Sequence, residues 1–385
     1  MRSIFQLFYP WLAAFVTLLA LPSCDAIQSC LYKATCDARG HEGLSDAGTS
    51  EDGGTELSSL CFEDSVLGRD VAFAFDAQGV GHYAYVQGGT TFVATTRPGD
   101  LPQPALGLNA SVIAGLTLDA HGRRYLLFHD TVLGRIAYAC EPEQERPWQT
   151  VPVTEGIPRA IQVDASGAVH VLAVRAFGAG YQTLHHVTNR SGSWELTTIG
   201  GLVSFTPVDL AVDAQGHAHV TLQRLAEGAT YYTNASGTWE RVPFESQPGG
   251  SAALVLDATG RLHLLSAYQQ TAVLSRKAAS GSGWENLFVM QRSGRATDLW
   301  VDSEGNTHAL FHQGAPASFI YVSNSQGRWN ELALSGLPAP APSNEGWARI
   351  ALGAGQQPFI AYSALANEED GLVQAFHFAR SRPCP

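Results

Sequence analysis

Val212 to Val220 reads VDAQGHAHV, and this stretch decides the fold. Leu210 and Val212 lead in at alternate positions, as one face of a strand requires, and alternation resumes beyond the turn at Ala218 and Val220. Between the two runs, Asp213 supplies a carboxylate that can take the turn's own N–H groups, and Gly216 supplies the φ > 0 position that closes a tight hairpin. The same D-x-x-G turn recurs at Asp76, Asp119, Asp164, Asp257 and Asp302, at intervals of 43 to 49 residues. A seventh, altered copy, GAGQQPFIAY, begins at Gly353. A second landmark keeps the same period: Trp148, Trp194, Trp239, Trp284 and Trp329 follow one another at 45 or 46 residues, each leading a fourth strand.

A four-stranded unit of this length repeated seven times predicts an all-β chain, a seven-bladed β-propeller of four-stranded antiparallel blades. An open solenoid would need polar capping repeats at its ends. Here the ends complement each other instead. The last copy stops after a third strand, Leu372 to Arg380, and Leu57 to Phe62 stands where a fourth strand would precede the first turn. The ring is therefore expected to be closed by an N-terminal outer strand, which removes the free sheet edges. That closure would bring Cys61 near Cys384, and a disulfide between them is expected.

Residues 57–385 are thus assigned to the propeller. Residues 1–24 read as a signal peptide, with Arg2 ahead of an apolar run from Ile4 to Leu21. The run ends in Leu21-Pro22-Ser23-Cys24, which resembles the lipobox of bacterial lipoproteins and implies lipidation at Cys24; an ordinary secretory signal is the alternative. Residues 25–56 are an acidic Gly/Ser-rich stretch with too few apolar groups to offset their ordering entropy, and read as a flexible tether. Both readings of the leader place the protein outside the cytoplasm: lipid-anchored to the bacterial cell envelope, or secreted or periplasmic. The six cysteines contain no C-x-x-C pair, which favours disulfides over a metal site. Removing a lipidated Cys24 leaves an odd number, with Cys140 the candidate for the unpaired thiol.

Net charge is −12, with Lys only at Lys33 and Lys277 and no clustering of Arg, so a nucleic-acid partner is excluded for want of a basic face. The half-repeats VDAQGHAHV and VDSEGNTHAL resemble NHL-type and related bacterial propeller repeats, in which a D-x-x-G turn joins two apolar strands. The likeness is one of architecture. The second Asp of NHL repeats is missing, and the sialidase Asp-box, a relative in kind, has one residue between Asp and Gly where this chain has two. No active site carries over from either family.

His82, His170, His219, His263 and His308 each stand six residues after a turn Asp. One per blade at equivalent positions holds them too far apart to share a metal ion at about 2.0 to 2.1 Å. They are expected to be buried histidines tying a blade to a neighbouring backbone or to a turn Asp. No cofactor, metal or catalytic residue is predicted, and G-x-S-x-G, H-E-x-x-H and P-loop motifs are absent. Function is expected where the repeats differ, on the loops opposite the D-x-x-G turns. Candidate ligand-binding residues there are Arg175, Phe177, Tyr181, Phe205, Arg224, His312 and Trp347. Arg and aromatic side chains on a rigid face suit a glycan or protein partner. The expected function is a monomeric, non-enzymatic binding or scaffold module displayed at the envelope. The alternative is an extracytoplasmic carbohydrate-active hydrolase or lyase, which should gather two or three acidic or basic side chains at the central channel mouth.

Overall fold

In the computed structural model the chain divides into two units, Met1–Ser45 and Asp46–Pro385. The structure describes residues 60–381 except 68, 77, 98, 143–145, 178–180, 203–207, 225–227, 243–250, 269–270, 278–282, 292–294, 315–316, 326, 335–347, 353–357 and 369–370. The signal peptide, Cys24 and the tether lie outside the described residues.

The described chain is an all-β propeller of four-stranded antiparallel blades. Strand pairing among the described residues yields seven four-stranded sheets, numbered here in chain order of the three or four consecutive strands that each contains. Sheets 1 to 6 each take four consecutive strands, spanning residues 69–104, 110–154, 157–202, 208–242, 251–290 and 295–334. Sheet 7 takes Ala348–Leu352, Pro358–Glu368 and Gly371–Ser381, and its fourth member is Leu60–Leu67 from the other end of the chain. Leu60 pairs with Ser381 and Cys61 with Arg380, with an irregularity between Phe62 and Ser65. The N-terminal strand runs on to Leu67, beyond the Phe62 expected from spacing; Leu57 lies outside the described residues, as does Cys384.

The six D-x-x-G turns share one geometry. In each, the Gly N–H donates to the Asp carbonyl at 2.9 to 3.1 Å, and the Gly φ lies between 75° and 85°, a left-handed value that any Cβ would oppose. The Asp Oδ1 accepts the N–H groups two and four residues on, as Gln215 and His217 donate to Asp213 at 2.9 and 2.7 Å.

The core is distributed between sheets. Alternate residues of each strand face opposite neighbours, so Leu172 packs against Leu210 and Val220 of sheet 4, whereas Val171 packs against Tyr125 and Leu127 of sheet 2. Each landmark Trp faces backward onto the preceding sheet, with Trp148 buried against sheet 1 and Trp239 packed on Leu172 and Leu184 of sheet 3. This explains why both faces of the second strands are apolar: neither meets water.

A second turn, between third and fourth strands, is also periodic. The Asn189, Asn234 and Asn324 side chains accept the N–H of Val169, Ala218 and Thr307 at 2.7 to 2.8 Å. Their carbonyls accept the N–H of Gly192, Gly237 and Gly327. The N-x-x-G signal, five residues ahead of Trp194, Trp239 and Trp329, was legible in the sequence, but the Trp landmarks masked it.

Candidate functional site

The five periodic histidines each lie against the turn Asp of their own sheet. Nε2 to Asp Oδ2 separations are 3.3 Å for His82, 3.3 Å for His170, 3.1 Å for His263 and 3.4 Å for His308. His219 stands off at 3.6 Å because His217 Nδ1 takes the same oxygen of Asp213 at 2.9 Å. Tyr125 fills the position in sheet 2, with its hydroxyl 3.5 Å from Asp119. Burial holds all five histidines below the ordinary imidazole range, against the upward pull of the Asp.

The other imidazole nitrogen reaches the third strand. His219 Nδ1 meets the Tyr231 hydroxyl at 2.7 Å, His308 Nδ1 meets that of Tyr321 at 2.6 Å, and His170 Nδ1 meets His186 Nε2 at 3.0 Å. Sheets 1 and 5 carry Val93 and Leu274 at that register position, and there the buried Nδ1 atoms of His82 and His263 have no hydrogen-bond partner among the described residues. The third-strand ring in turn packs edge-on against the next sheet's Trp: Tyr138 on Trp194, His186 on Trp239 and Tyr231 on Trp284, with centroids 5.3 to 5.9 Å apart. Asp, His, third-strand ring and Trp therefore form a recurring strut between sheets.

The predicted ligand-binding residues do not all gather. Phe205 and Trp347 lie outside the described residues. Phe177 and Tyr181 are backbone partners in register where the second strand of sheet 3 ends and its third begins, Phe177 two residues beyond Arg175, and Arg224 ends the second strand of sheet 4. The guanidinium of Arg175 is anchored to Thr154 Oγ1 at 2.6 Å and the Glu155 carbonyl at 3.4 Å, which ties sheet 3 to sheet 2. His312, on sheet 6, stands opposite Arg295 in register and tilts onto Phe319 at 5.6 Å; its Nε2 is buried with no hydrogen-bond partner among the described residues. Burial, and then the Arg295 charge, lower its pKa.

Sequence reasoning missed a charged group on the first strands, which lie side by side in successive sheets. The position four residues before the turn is occupied by Ala72, Gly115, Ala160 and Ala253 in sheets 1, 2, 3 and 5, but by Asp209, Asp298 and Arg349 in sheets 4, 6 and 7. In sheets 2, 4 and 6 this position faces the backbone of the next sheet. A Cβ on Gly115 would stand 3.6 Å from the Ile161 nitrogen, and the corresponding nitrogens of Leu254 and Ile350 donate to Asp209 Oδ2 at 3.0 Å and Asp298 Oδ2 at 2.7 Å. The remaining oxygens are also engaged: Asp298 Oδ1 accepts Arg349 Nη1 at 3.0 Å, and Asp209 Oδ1 accepts the Leu210 N–H at 3.1 Å. Burial pushes the Asp298 carboxyl up to about 6, with the Asp209 charge adding to it and Arg349 opposing. The signal was present as the matching VDLAVD and TDLWVD runs, whose first Asp has no counterpart in the other repeats.

Among the described residues no cluster of three or more His, Cys, Asp or Glu could hold a metal ion. Cys140 is a free thiol, and burial raises its pKa.

The fold and these inter-sheet ties define a β-propeller whose repeated polar residues build seams. No family model matches the sequence, and no curated protein matches it. Solved propellers do. An oligogalacturonate lyase in complex with manganese aligns over 84% of this chain and 97% of its own, at TM-score 0.58 and 8% identity. An oligogalacturonate lyase from Vibrio parahaemolyticus aligns over 84% and 98%, at 0.56 and 9%. A fucoside-bound lectin from Aleuria aurantia aligns over 71% and 97%, at 0.45 and 13%. At such identities the likeness is one of fold.

Proposed function

We propose that this chain is a non-enzymatic binding module, anchored outside the cytoplasm through Cys24, that recognises a glycan or an envelope protein at the mouth of the channel, on the side of the loops between second and third strands. In this reading the seven sheets form one closed seven-bladed ring. Supporting closure, the first strands of sheets 7 and 1 touch, and Ala361 of sheet 7 packs with Phe73, Tyr83 and Tyr85 of sheet 1. The Cys61–Cys384 disulfide belongs to the same proposal.

One observation favours binding over catalysis: every oxygen of Asp209 and Asp298 is already hydrogen-bonded to protein. A general base needs a lone pair facing the proton it takes; on these carboxylates each oxygen already accepts an N–H, three of the four from the neighbouring sheet, which turns them into the seam. A second reading, an extracytoplasmic carbohydrate-active lyase or hydrolase, is favoured by the Asp298 carboxyl, which titrates at about 6 beside a guanidinium, a combination suited to acid–base work near neutrality. The lyase structures that share the fold act in their own names on oligogalacturonate; an acidic polysaccharide is the substrate class that this second reading would take.

The deciding experiment screens the mature chain against immobilised neutral and acidic glycans and envelope proteins, while monitoring the same glycans for new reducing or unsaturated ends. Saturable binding without product supports the binding module. Product formation that Asp298→Asn abolishes transfers the assignment to the enzyme, and neither binding nor product overturns both.

A further inference from the structure

We propose that the seam between sheets 3 and 4 is an acid-sensitive joint, held by the His170–His186 pair and loosened when that pair takes up a proton. The position of His186 is filled by Tyr138, Tyr231 and Tyr321 in sheets 2, 4 and 6. A phenolic hydroxyl rotates, so it can donate or accept; a ring nitrogen has its role fixed by the tautomer. If Asp164 Oδ2 accepts the Nε2–H of His170, the Nδ1 lone pair of His170 accepts the Nε2–H of His186 across 3.0 Å. A proton arriving at His170 Nδ1 then sets two N–H donors against each other until His186 exchanges tautomer. A proton on His186 places a cation among Leu172, Leu184, Leu210 and Trp239.

The surroundings make the joint directional. Both rings are almost fully buried, at 1% and 3% exposure, and their centroids stack 5.2 Å apart. The charged groups facing the pair are Asp164 and Arg190 from sheet 3 and Asp213 from sheet 4. Arg190 lies over Gly216 in the turn of sheet 4, in the space that a Cβ there would need. Asp164 sits at the His170 end, whereas His186 is held down to about 3 by burial and then by the His170 charge. Since Trp239 belongs to sheet 4 and His186 to sheet 3, the pH-sensitive ring is the one that spans the seam.

The linkage has a definite sign. A histidine depressed in the folded state destabilises it as pH falls below the unfolded value, 6.5 for His186. Solvating His186 in an opened seam therefore favours opening roughly thirtyfold more at pH 5 than at pH 7.5. The test is amide hydrogen exchange on the whole chain at both pH values, corrected for intrinsic rates, reading Glu195–Leu202 of sheet 3 and Glu240–Val242 of sheet 4. Opening of these segments is expected to rise at least about tenfold on acidification in the wild type and less than about twofold in His186→Tyr. The reciprocal change, Tyr231→His, is expected to transfer acid sensitivity to the seam between sheets 4 and 5, and it keeps the proposal testable should His186→Tyr fail to fold. Equal acid response in wild type and His186→Tyr, or no new response in Tyr231→His, overturns the proposal.

Discussion

Gly81→Ala is expected to destabilise the protein by about 1 to 3 kcal/mol, the usual range for forcing a group into a packed site. Gly81 stands five residues after its turn Asp, where the other five D-x-x-G repeats carry Arg124, Val169, Ala218, Leu262 and Thr307. The exception has a steric cause. A Cβ on Gly81 would come within 2.4 Å of Phe73 Cζ and 2.9 Å of Thr96 Cγ2, where carbon contacts settle near 3.5 to 4.0 Å. Phe73 has little room to retreat, because it is 4% exposed and stands edge-on to Phe75 at 4.7 Å. Thr96 is held by its own bond from the Gly81 N–H at 2.9 Å. The other D-x-x-G repeats place Leu or Ile where sheet 1 has Phe73, so the aromatic ring and the glycine are a matched pair. Phe73→Leu alone should cost about 1 to 2 kcal/mol through the space it leaves. The double variant should then be more stable than additivity predicts by about 1 kcal/mol or more. The assay is urea unfolding of the wild type, both single variants and the double variant, with midpoints compared at constant slope. Additivity within about 0.5 kcal/mol would refute the argument from space.

Three further outcomes are expected. Asp298→Asn should remove one component of the pH dependence of stability: a carboxyl raised from 3.8 to about 6 favours the folded state while protonated and disfavours it as pH rises through that window, so the melting temperature of the wild type relative to the variant should fall from pH 4 to 7, the contribution of the depressed histidines being common to both. His308→Phe should cost about 1 to 2 kcal/mol more than His263→Phe in chemical denaturation, because both remove the imidazole from a turn Asp but only the first also takes a partner from a buried hydroxyl, that of Tyr321. Asn234→Ala should cost about 1 to 2 kcal/mol by leaving the Ala218 N–H without its acceptor, and Asn234→Asp, which restores an acceptor oxygen, should recover most of it in the same melts.

Much of the architecture was legible because it rests on local chemistry. A carboxylate two bonds from the backbone and a glycine three residues on make a turn wherever they occur, so Asp213 and Gly216 announced their hairpin without reference to any neighbour. Alternation at Leu210 and Val212 announced the strand for the same reason. The tertiary structure alone decided what lies between repeats. Asp209 and Asp298 look like ordinary strand residues until the N–H groups of Leu254 and Ile350 are set beside them, and those come from about 45 to 52 residues away in the chain. His170 was legible as a buried, tied histidine, but its link to His186 and onward to Trp239 depends on register across two strands and then across a seam. Periodicity specifies each repeat; the contacts that make the repeats unequal are long-range, and only packing one sheet on the next brings them together.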